Sequence, residues 1–136
     1  VRRDAYRPAK TTAMNDHRLA LAQVALLFAY AAGMAGGQLL FKAAALRYAG
    51  DAPLGERLLS LVANTYFLAA IVLYGGLTVL WVWLLTFTPL SRAYPFVALA
   101  FAITPLLGGM VFGEAITTRL LLGIALILGG LLLVAS

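Results

Sequence analysis

Gly36-Gly37-Gln38-Leu39-Leu40-Phe41-Lys42 stands near the end of the first long apolar run of the chain. Gln38 and Lys42 are four residues apart, so on a helix they share one face. Both are costly inside a bilayer, where a charge near the centre costs about 2.5–3.5 kcal/mol on insertion scales. The pair therefore indicates either a ligand contact, or a Lys42 that reaches the headgroups beside a Gln38 that hydrogen-bonds a neighbouring helix.

The composition is that of an all-α membrane protein. Of 136 residues, 63% are hydrophobic and 11% are charged, whereas soluble domains carry about 25% charged residues. The chain has no cysteine, and its one histidine, His17, lies outside the apolar runs. Because no His, Cys or paired carboxylates occur within those runs, we expect no metal, no cofactor and no enzymatic activity.

Four apolar segments predict four transmembrane helices, at about residues 19–45, 62–87, 91–112 and 118–135. A polar, basic tail is expected over residues 1–18. Its charge is typical of a topology determinant rather than of a nucleic-acid-binding arm.

Three connections are predicted between these helices. Residues 47–57 read as a loop. Thr88-Pro89-Leu90-Ser91 reads as a tight turn that makes the second and third helices antiparallel neighbours, with Ser91 able to cap the third. Pro95 is expected in the first turn of that helix, and Pro105 should kink it. A short loop over residues 113–119 leads to the fourth helix, which Thr117 or Thr118 can cap.

Small residues mark the expected contact faces between helices. The predicted packing positions are Gly33, Gly37, Gly109, Gly113, Ala125 and Gly129. Four short helices enclose little space on their own. A homodimer or heterodimer is therefore predicted to complete any path through the membrane.

Positive charge favours both termini in the cytoplasm. The side of the N-terminus carries Arg2, Arg3, Arg7, Lys10, Arg18 and Arg92, and the opposite side carries Lys42, Arg47, Arg57 and Arg119. If translation starts at Met14, the first side keeps only Arg18 and Arg92, and charge specifies the orientation poorly or reverses it.

Several short motifs, in this order and spacing, resemble the drug/metabolite transporter superfamily. They are Gly37-Gln38-Leu39 with Lys42, Pro-Leu-Ser-Arg-Ala-Tyr-Pro at residues 89–95, Gly113-Glu114, and a glycine-rich last helix. Over residues 21–136 the chain resembles the four-helix EamA-like and small multidrug-resistance branch. It is most similar there to the subunits that flip aminoarabinose-phosphoundecaprenol in Gram-negative bacteria. The resemblance implies a multi-pass protein of the bacterial inner membrane.

Two departures from the drug exporters of this branch bear on the cargo. Their membrane-embedded Glu corresponds to Met34 here, and their chamber Trp corresponds to Val97, while their chamber Tyr is kept as Tyr94. Residues 19–49 and 66–112 contain no Asp or Glu, so a carboxylate that exchanges protons for a cation is missing. The cationic Lys42 and Arg92 instead match an anionic headgroup.

The leading hypothesis is a translocase for a polyprenyl-phosphate-linked sugar or a related anionic lipid. Lys42 would contact the phosphate, Gln38 the sugar or phosphate, and Tyr94 would line the path. Arg92, with Ser91 and the free N–H groups of the third helix, would capture phosphate at the opposite leaflet, although a positive-inside anchor explains Arg92 equally well.

Glu114 is interpreted as a structural cap or ion-pair partner, with Arg119 five residues on. Its replacement by Gln is expected to leave binding intact.

Two alternatives remain open. One is a small-solute or multidrug-type exporter, alone or as half of a heterodimer whose partner supplies the acid. The other is a non-transporting subunit that anchors a glycosyltransferase. Co-purification of an acid-bearing subunit would favour the first, and failure of the purified protein to move lipid would favour the second.

Overall fold

The computed structural model describes residues 13–48 and 50–135, with side chains placed for residues 21–48 and 50–133. The described chain forms helices α1 (Ala13–Ala45), α2 (Leu54–Val62), α3 (Thr65–Leu85), α4 (Leu90–Phe112) and α5 (Thr118–Ala135). No strand occurs in this part of the chain, which confirms the predicted all-α class. The predicted tail over residues 1–12, with Arg2, Arg3, Arg7 and Lys10, lies outside the described residues.

Helix lengths limit which elements can cross a bilayer. Among the described residues, three helices are long and apolar enough to do so: Leu21–Ala45 of α1, α3 and α4. The apolar part of α5, Thr118–Leu133, is shorter. At 1.5 Å per residue the 18 residues of α5 span about 27 Å, close to a hydrocarbon core of about 30 Å.

Helix α1 begins at Ala13, within the segment assigned to the tail. Hydropathy locates only the part of a helix that lies in lipid, and polar residues before it can continue the same helix.

Helix α1 is the centre of the bundle: it packs against both α3 and α4, and α4 packs in turn against α5. The helices predicted to be antiparallel neighbours, now numbered α3 and α4, do contact each other, but at few positions, and each packs mainly against α1. Leu27, Leu84 and Ala93 form a buried cluster that joins α1, α3 and α4. Small side chains let α1 fit between its two neighbours, since Ala31 and Ala35 are completely buried.

The segment predicted as a loop over residues 47–57 ends in helix α2. Pro53 occupies its N-cap position, where a fixed φ and a missing N–H are tolerated. Asn64 then separates α2 from α3, because its side-chain oxygen accepts hydrogen bonds from the backbone N–H groups of Tyr66 (3.0 Å) and Phe67 (3.3 Å). The apolar run expected to start at residue 62 is therefore divided between two helices.

Helix α4 starts earlier than predicted. Pro89 is its N-cap, with φ −58°, and no side chain caps the helix, so the predicted capping role of Ser91 is wrong. Pro95 consequently lies in the second turn rather than the first. Both Pro95 and Pro105 lie inside α4, which deprives the carbonyls of Ser91 and Phe101 of their usual donors.

Candidate functional site

An open groove runs between α1 and α4. It consists of two adjoining cavities of about 320 Å³ and about 330 Å³, which share Gln38, Thr104 and Pro105. We call this the α1–α4 groove. Pro105 breaks the regular backbone hydrogen bonding of α4 beside the groove, at a depth where both helices would lie within a bilayer.

One half of the α1–α4 groove is apolar. Its other lining residues are Met34, Val97, Ala100 and Phe101. Met34 and Val97, which the motif resemblance aligns with the Glu and Trp of the drug exporters, line the same cavity here.

The other half of the groove is polar and contains an ion pair. The Lys42 ammonium lies 2.9 Å from Glu114 Oε1, and the two side chains are 46% and 48% exposed. Gln38 and Thr104 line the same cavity. Lys42 is in the last turn of α1, where a cation also interacts favourably with the helix dipole.

Glycines bring Glu114 to Lys42. Gly113 ends α4 with φ 67°, a left-handed conformation that favours glycine, and the chain turns back at once. A Cβ at Gly108 would lie 3.0 Å from Glu114 Oε2, so the carboxylate sits over a position that has no side chain.

This arrangement confirms the interpretation of Glu114 as an ion-pair partner. Its partner is Lys42, and no ion pair joins it to Arg119 in the part of the chain that the structure describes. Thr117 Oγ1 accepts a hydrogen bond from the N–H of Leu120 at 3.2 Å, which confirms the predicted threonine cap of α5. Lys42, whose charge is expected to match an anionic headgroup, is thus already paired with the Glu114 carboxylate.

The side chain of Gln38 is fixed by a hydrogen bond to a residue of α3. Its Nε2 donates to the Tyr74 hydroxyl at 2.8 Å, and that hydroxyl donates to the Met34 carbonyl at 3.2 Å. The alternative in which Gln38 hydrogen-bonds a neighbouring helix is therefore realised. The same side chain still lines the groove, so its amide is positioned as well as accessible.

Sequence reasoning missed Tyr74 and Thr104. Tyr74 lies in the middle of an apolar span, where a tyrosine hydroxyl needs a hydrogen-bond partner. That requirement could have pointed to Gln38. Thr104 precedes a helix-interior proline, and a hydroxyl at such a position is a common polar contact in membrane helices.

The predicted packing residues have different surroundings. Cβ atoms at Gly33 and Gly109 would lie 2.9 Å from Leu77 Cδ2 and 2.6 Å from Ile116 Cδ1. Gly37 lies directly under the ring of Tyr74.

Three other predicted packing positions meet no neighbour among the described residues. A Cβ at Gly113 or Gly129 would meet no atom within 4 Å, and Ala125 is exposed. Gly113 lies in the turn after α4, and the packing role predicted for Ala125 and Gly129 stays a prediction.

Ser91, Arg92 and Tyr94 lie at the opposite end of α4 from the ion pair. Arg92 and Thr104 are twelve residues apart in one helix, which corresponds to about 18 Å. All three side chains are exposed, and none lines the α1–α4 groove. Arg92 makes no ion pair with any described residue. The structure therefore separates the predicted site residues into two groups, Gln38 with Lys42 and Ser91 with Arg92 and Tyr94.

The described residues contain no group of three or more His, Cys, Asp or Glu side chains that could hold a metal ion. The chemistry of the α1–α4 groove is limited to an amide, hydroxyls, an ammonium and a carboxylate. Such groups can bind and exchange a polar or charged ligand.

The chain is similar to one curated membrane protein. It is 40% identical over 69 residues to the probable 4-amino-4-deoxy-L-arabinose-phosphoundecaprenol flippase subunit ArnE of Hamiltonella defensa subsp. Acyrthosiphon pisum (strain 5AT). The match covers 51% of this chain and 61% of that relative. No protein-family model matches the chain, and no solved structure matches it. This similarity supports the resemblance drawn from the motifs, and it spans less than two thirds of the length of that relative.

Proposed function

We propose that this chain is a subunit of a membrane translocase for an anionic lipid, a polyprenyl-phosphate-linked sugar or a close relative of one. The α1–α4 groove is the observation that carries the proposal. It joins a cavity lined by Lys42, Gln38 and Thr104 to one lined by Met34, Val97 and Phe101. A ligand that fits both halves has a polar headgroup and a hydrocarbon chain.

The polar half suits a phosphate-linked sugar. An ammonium forms charge-assisted hydrogen bonds with phosphate oxygens, and the Gln38 amide and Thr104 hydroxyl can bond sugar hydroxyls. Because Glu114 lies 2.9 Å from the same ammonium, an arriving phosphate must replace or share this carboxylate. Lys42 would then pair with the Glu114 carboxylate when the groove is empty and with the phosphate when the ligand is bound. Its positive charge would therefore be balanced in both states.

The apolar half suits the hydrocarbon chain. It is open between α1 and α4, so a prenyl tail can remain among lipid acyl chains while its headgroup occupies the polar half. No Asp or Glu lines this half, and the Glu114 carboxylate of the other half is paired with Lys42. Both features favour an anionic amphiphile over a cation exchanged for protons.

The assembly around the groove is part of the proposal. We place α5 as a fourth span, both termini in the cytoplasm, and the protein in a bacterial inner membrane as a homodimer or heterodimer. The relative is described as a subunit, which supports a second chain. Arg92 and Ser91 would then serve the leaflet opposite Lys42, with Tyr94 lining a path completed by the partner.

The direct test uses the purified protein in liposomes. A short-chain polyprenyl phosphate sugar with a reducible fluorophore on its headgroup should become accessible to a membrane-impermeant reductant faster than in protein-free liposomes. A polyprenyl phosphate should also co-purify with the gently extracted protein in lipid mass spectrometry. Transfer that requires a co-purified acid-bearing subunit would favour the exporter alternative, and no transfer with any partner would favour a scaffold.

Because Glu114 is paired with Lys42, Glu114→Gln is now expected to strengthen anion binding about 1.4- to 5-fold rather than to leave it unchanged. The substitution keeps the shape of the side chain and removes the charge that competes for Lys42. A half-exposed ion pair is worth about 0.2–1 kcal/mol, which corresponds to this range. The measurement is the affinity for a short-chain polyprenyl phosphate in lipid nanodiscs.

Glu56→Gln is the matched control, because Glu56 is an exposed carboxylate on α2 away from the groove. Its affinity should equal that of the unaltered protein. Weaker binding by Glu114→Gln would show that Glu114 assists the ligand rather than competing with it.

A further inference from the structure

Helix α2 carries an apolar face that the bundle leaves uncovered. Leu54, Leu58, Leu59 and Val62 are each more than half exposed. At 100° per residue they fall within one side of the helix, whereas Glu56 lies on another. Four adjacent large aliphatic side chains on a nine-residue helix form a surface that needs an apolar environment.

The other side of α2 faces the protein. Arg57, Ser60 and Leu61 are partly buried. Arg57 Nε donates to the Ala52 carbonyl at 2.7 Å, and Ser60 Oγ donates to the Arg57 carbonyl at 2.8 Å. Both bonds are local to α2 and the residues before it. That the apolar face points away from the bundle follows from its exposure, since its four aliphatic side chains are each more than half exposed.

The position of the C-terminal end of α2 relative to the spans is also fixed. Helix α1 ends at Ala45 and α3 begins at Thr65, so only Ala63 and Asn64 separate α2 from a membrane-length helix. Asn64 Nδ2 donates to the Ala44 carbonyl at 3.2 Å, which ties the α2–α3 junction to the end of α1. Val62 and Thr65 are three peptide units apart, a distance of at most about 11 Å, so the C-terminal end of α2 lies near the level where α3 begins.

Side chains typical of a membrane boundary occur at the same level. The Arg47 guanidinium lies 4.5 Å from the centre of the Tyr66 ring, and Arg47 Nη2 donates to the Tyr66 hydroxyl at 3.4 Å. Tyrosine and arginine are common anchors at the headgroup level.

We propose that α2 lies in the plane of the membrane interface, with its apolar face against lipid acyl chains and Glu56 toward water. Lipid is the occupant favoured by position, because the face lies beside the ends of two spans and would otherwise meet headgroups or water. The segment carries Arg47, Asp51, Glu56 and Arg57, so its charges cancel. Its contact with the membrane is accordingly apolar and does not require anionic lipid.

The natural lack of cysteine makes this proposal testable by single-site labelling. Leu58→Cys, Val62→Cys and Glu56→Cys would each be labelled with an environment-sensitive fluorophore in the full chain. The labelled proteins would be reconstituted into vesicles that contain brominated phosphatidylcholine.

Fluorophores at positions 58 and 62 should be quenched by the brominated lipid at least twofold more than the fluorophore at position 56. Aqueous iodide should give the reverse order. The pattern should be the same with and without anionic lipid.

Three results would overturn the proposal. Equal iodide quenching at all three positions would show that α2 projects into water. Protection of positions 58 and 62 from both quenchers would show that another protein surface covers them. Quenching by lipid only when anionic lipid is present would show electrostatic rather than apolar attachment. Agreement between positions 58 and 62 excludes a local effect of one substitution.

Discussion

Replacing Lys42 by Gln should lower the rate of lipid headgroup transfer about tenfold to a hundredfold. Among the described residues that line the α1–α4 groove, Lys42 is the only cation. A hydrogen bond to a charged group is worth about 1.5–3 kcal/mol. The substitution also leaves the Glu114 carboxylate without its partner in the space that the phosphate must enter. The measurement is the rate at which a reconstituted protein exposes a labelled polyprenyl phosphate sugar to an external reductant.

Two further variants separate the causes of that loss. Lys42→Arg keeps the charge and should retain most of the activity. In the double variant Lys42→Gln with Glu114→Gln, the stranded carboxylate is gone but the phosphate contact is still missing, so transfer should stay slow. Recovery in the double variant would mean that Lys42 serves to neutralise Glu114 and does not bind phosphate.

Arg57→Gln is the control for a general effect of lost positive charge, since Arg57 lies on α2 outside the groove. It should transfer lipid at the rate of the unaltered protein. An unchanged rate in Lys42→Gln would contradict the assignment of Lys42 as the phosphate contact.

The candidate site was only half predictable from the sequence. Gln38 and Lys42 stand out because they interrupt an apolar run at helical spacing. Glu114 does not, because it follows a glycine in a short polar segment and its nearest cation along the chain is Arg119. Its pairing with Lys42 depends on α1 and α4 lying side by side, and on the turn at Gly113. Neither is encoded in local spacing.

The fold shows the same division between local and tertiary information. Hydropathy predicts the spans because a bilayer demands long apolar helices. It does not predict which helices touch, and α1 lies between α3 and α4 although a short turn joins those two. Helix α2 was missed because its leucines merge with the next apolar run, and the Asn64 cap that divides the two helices is a single residue.

Replacing Gly37 by Ala should destabilise the protein by about 1–3 kcal/mol, the usual cost of forcing extra volume into a packed interface. The added Cβ would lie 3.0 Å from Tyr74 Cζ and 3.1 Å from Tyr74 Cδ2. The ring cannot move without loss, because it is stacked on Phe41 at 5.3 Å and its hydroxyl bonds Gln38 and the Met34 carbonyl. The measurement is the free energy of unfolding in mixed detergent micelles.

Gly36→Ala is the matched control, since a Cβ at Gly36 would meet no atom within 4 Å. Gly36 is next to Gly37 in the same helix, and both variants replace a glycine by an alanine. Alanine lowers the entropy cost of the helix, so this variant should be as stable as the unaltered protein or more stable by up to about 1 kcal/mol. Equal stability of the two variants would show that α3 is not seated against Gly37. A loss confined to Gly37→Ala, accompanied by weaker lipid binding, would link the α1–α3 contact to the orientation of Gln38 in the groove.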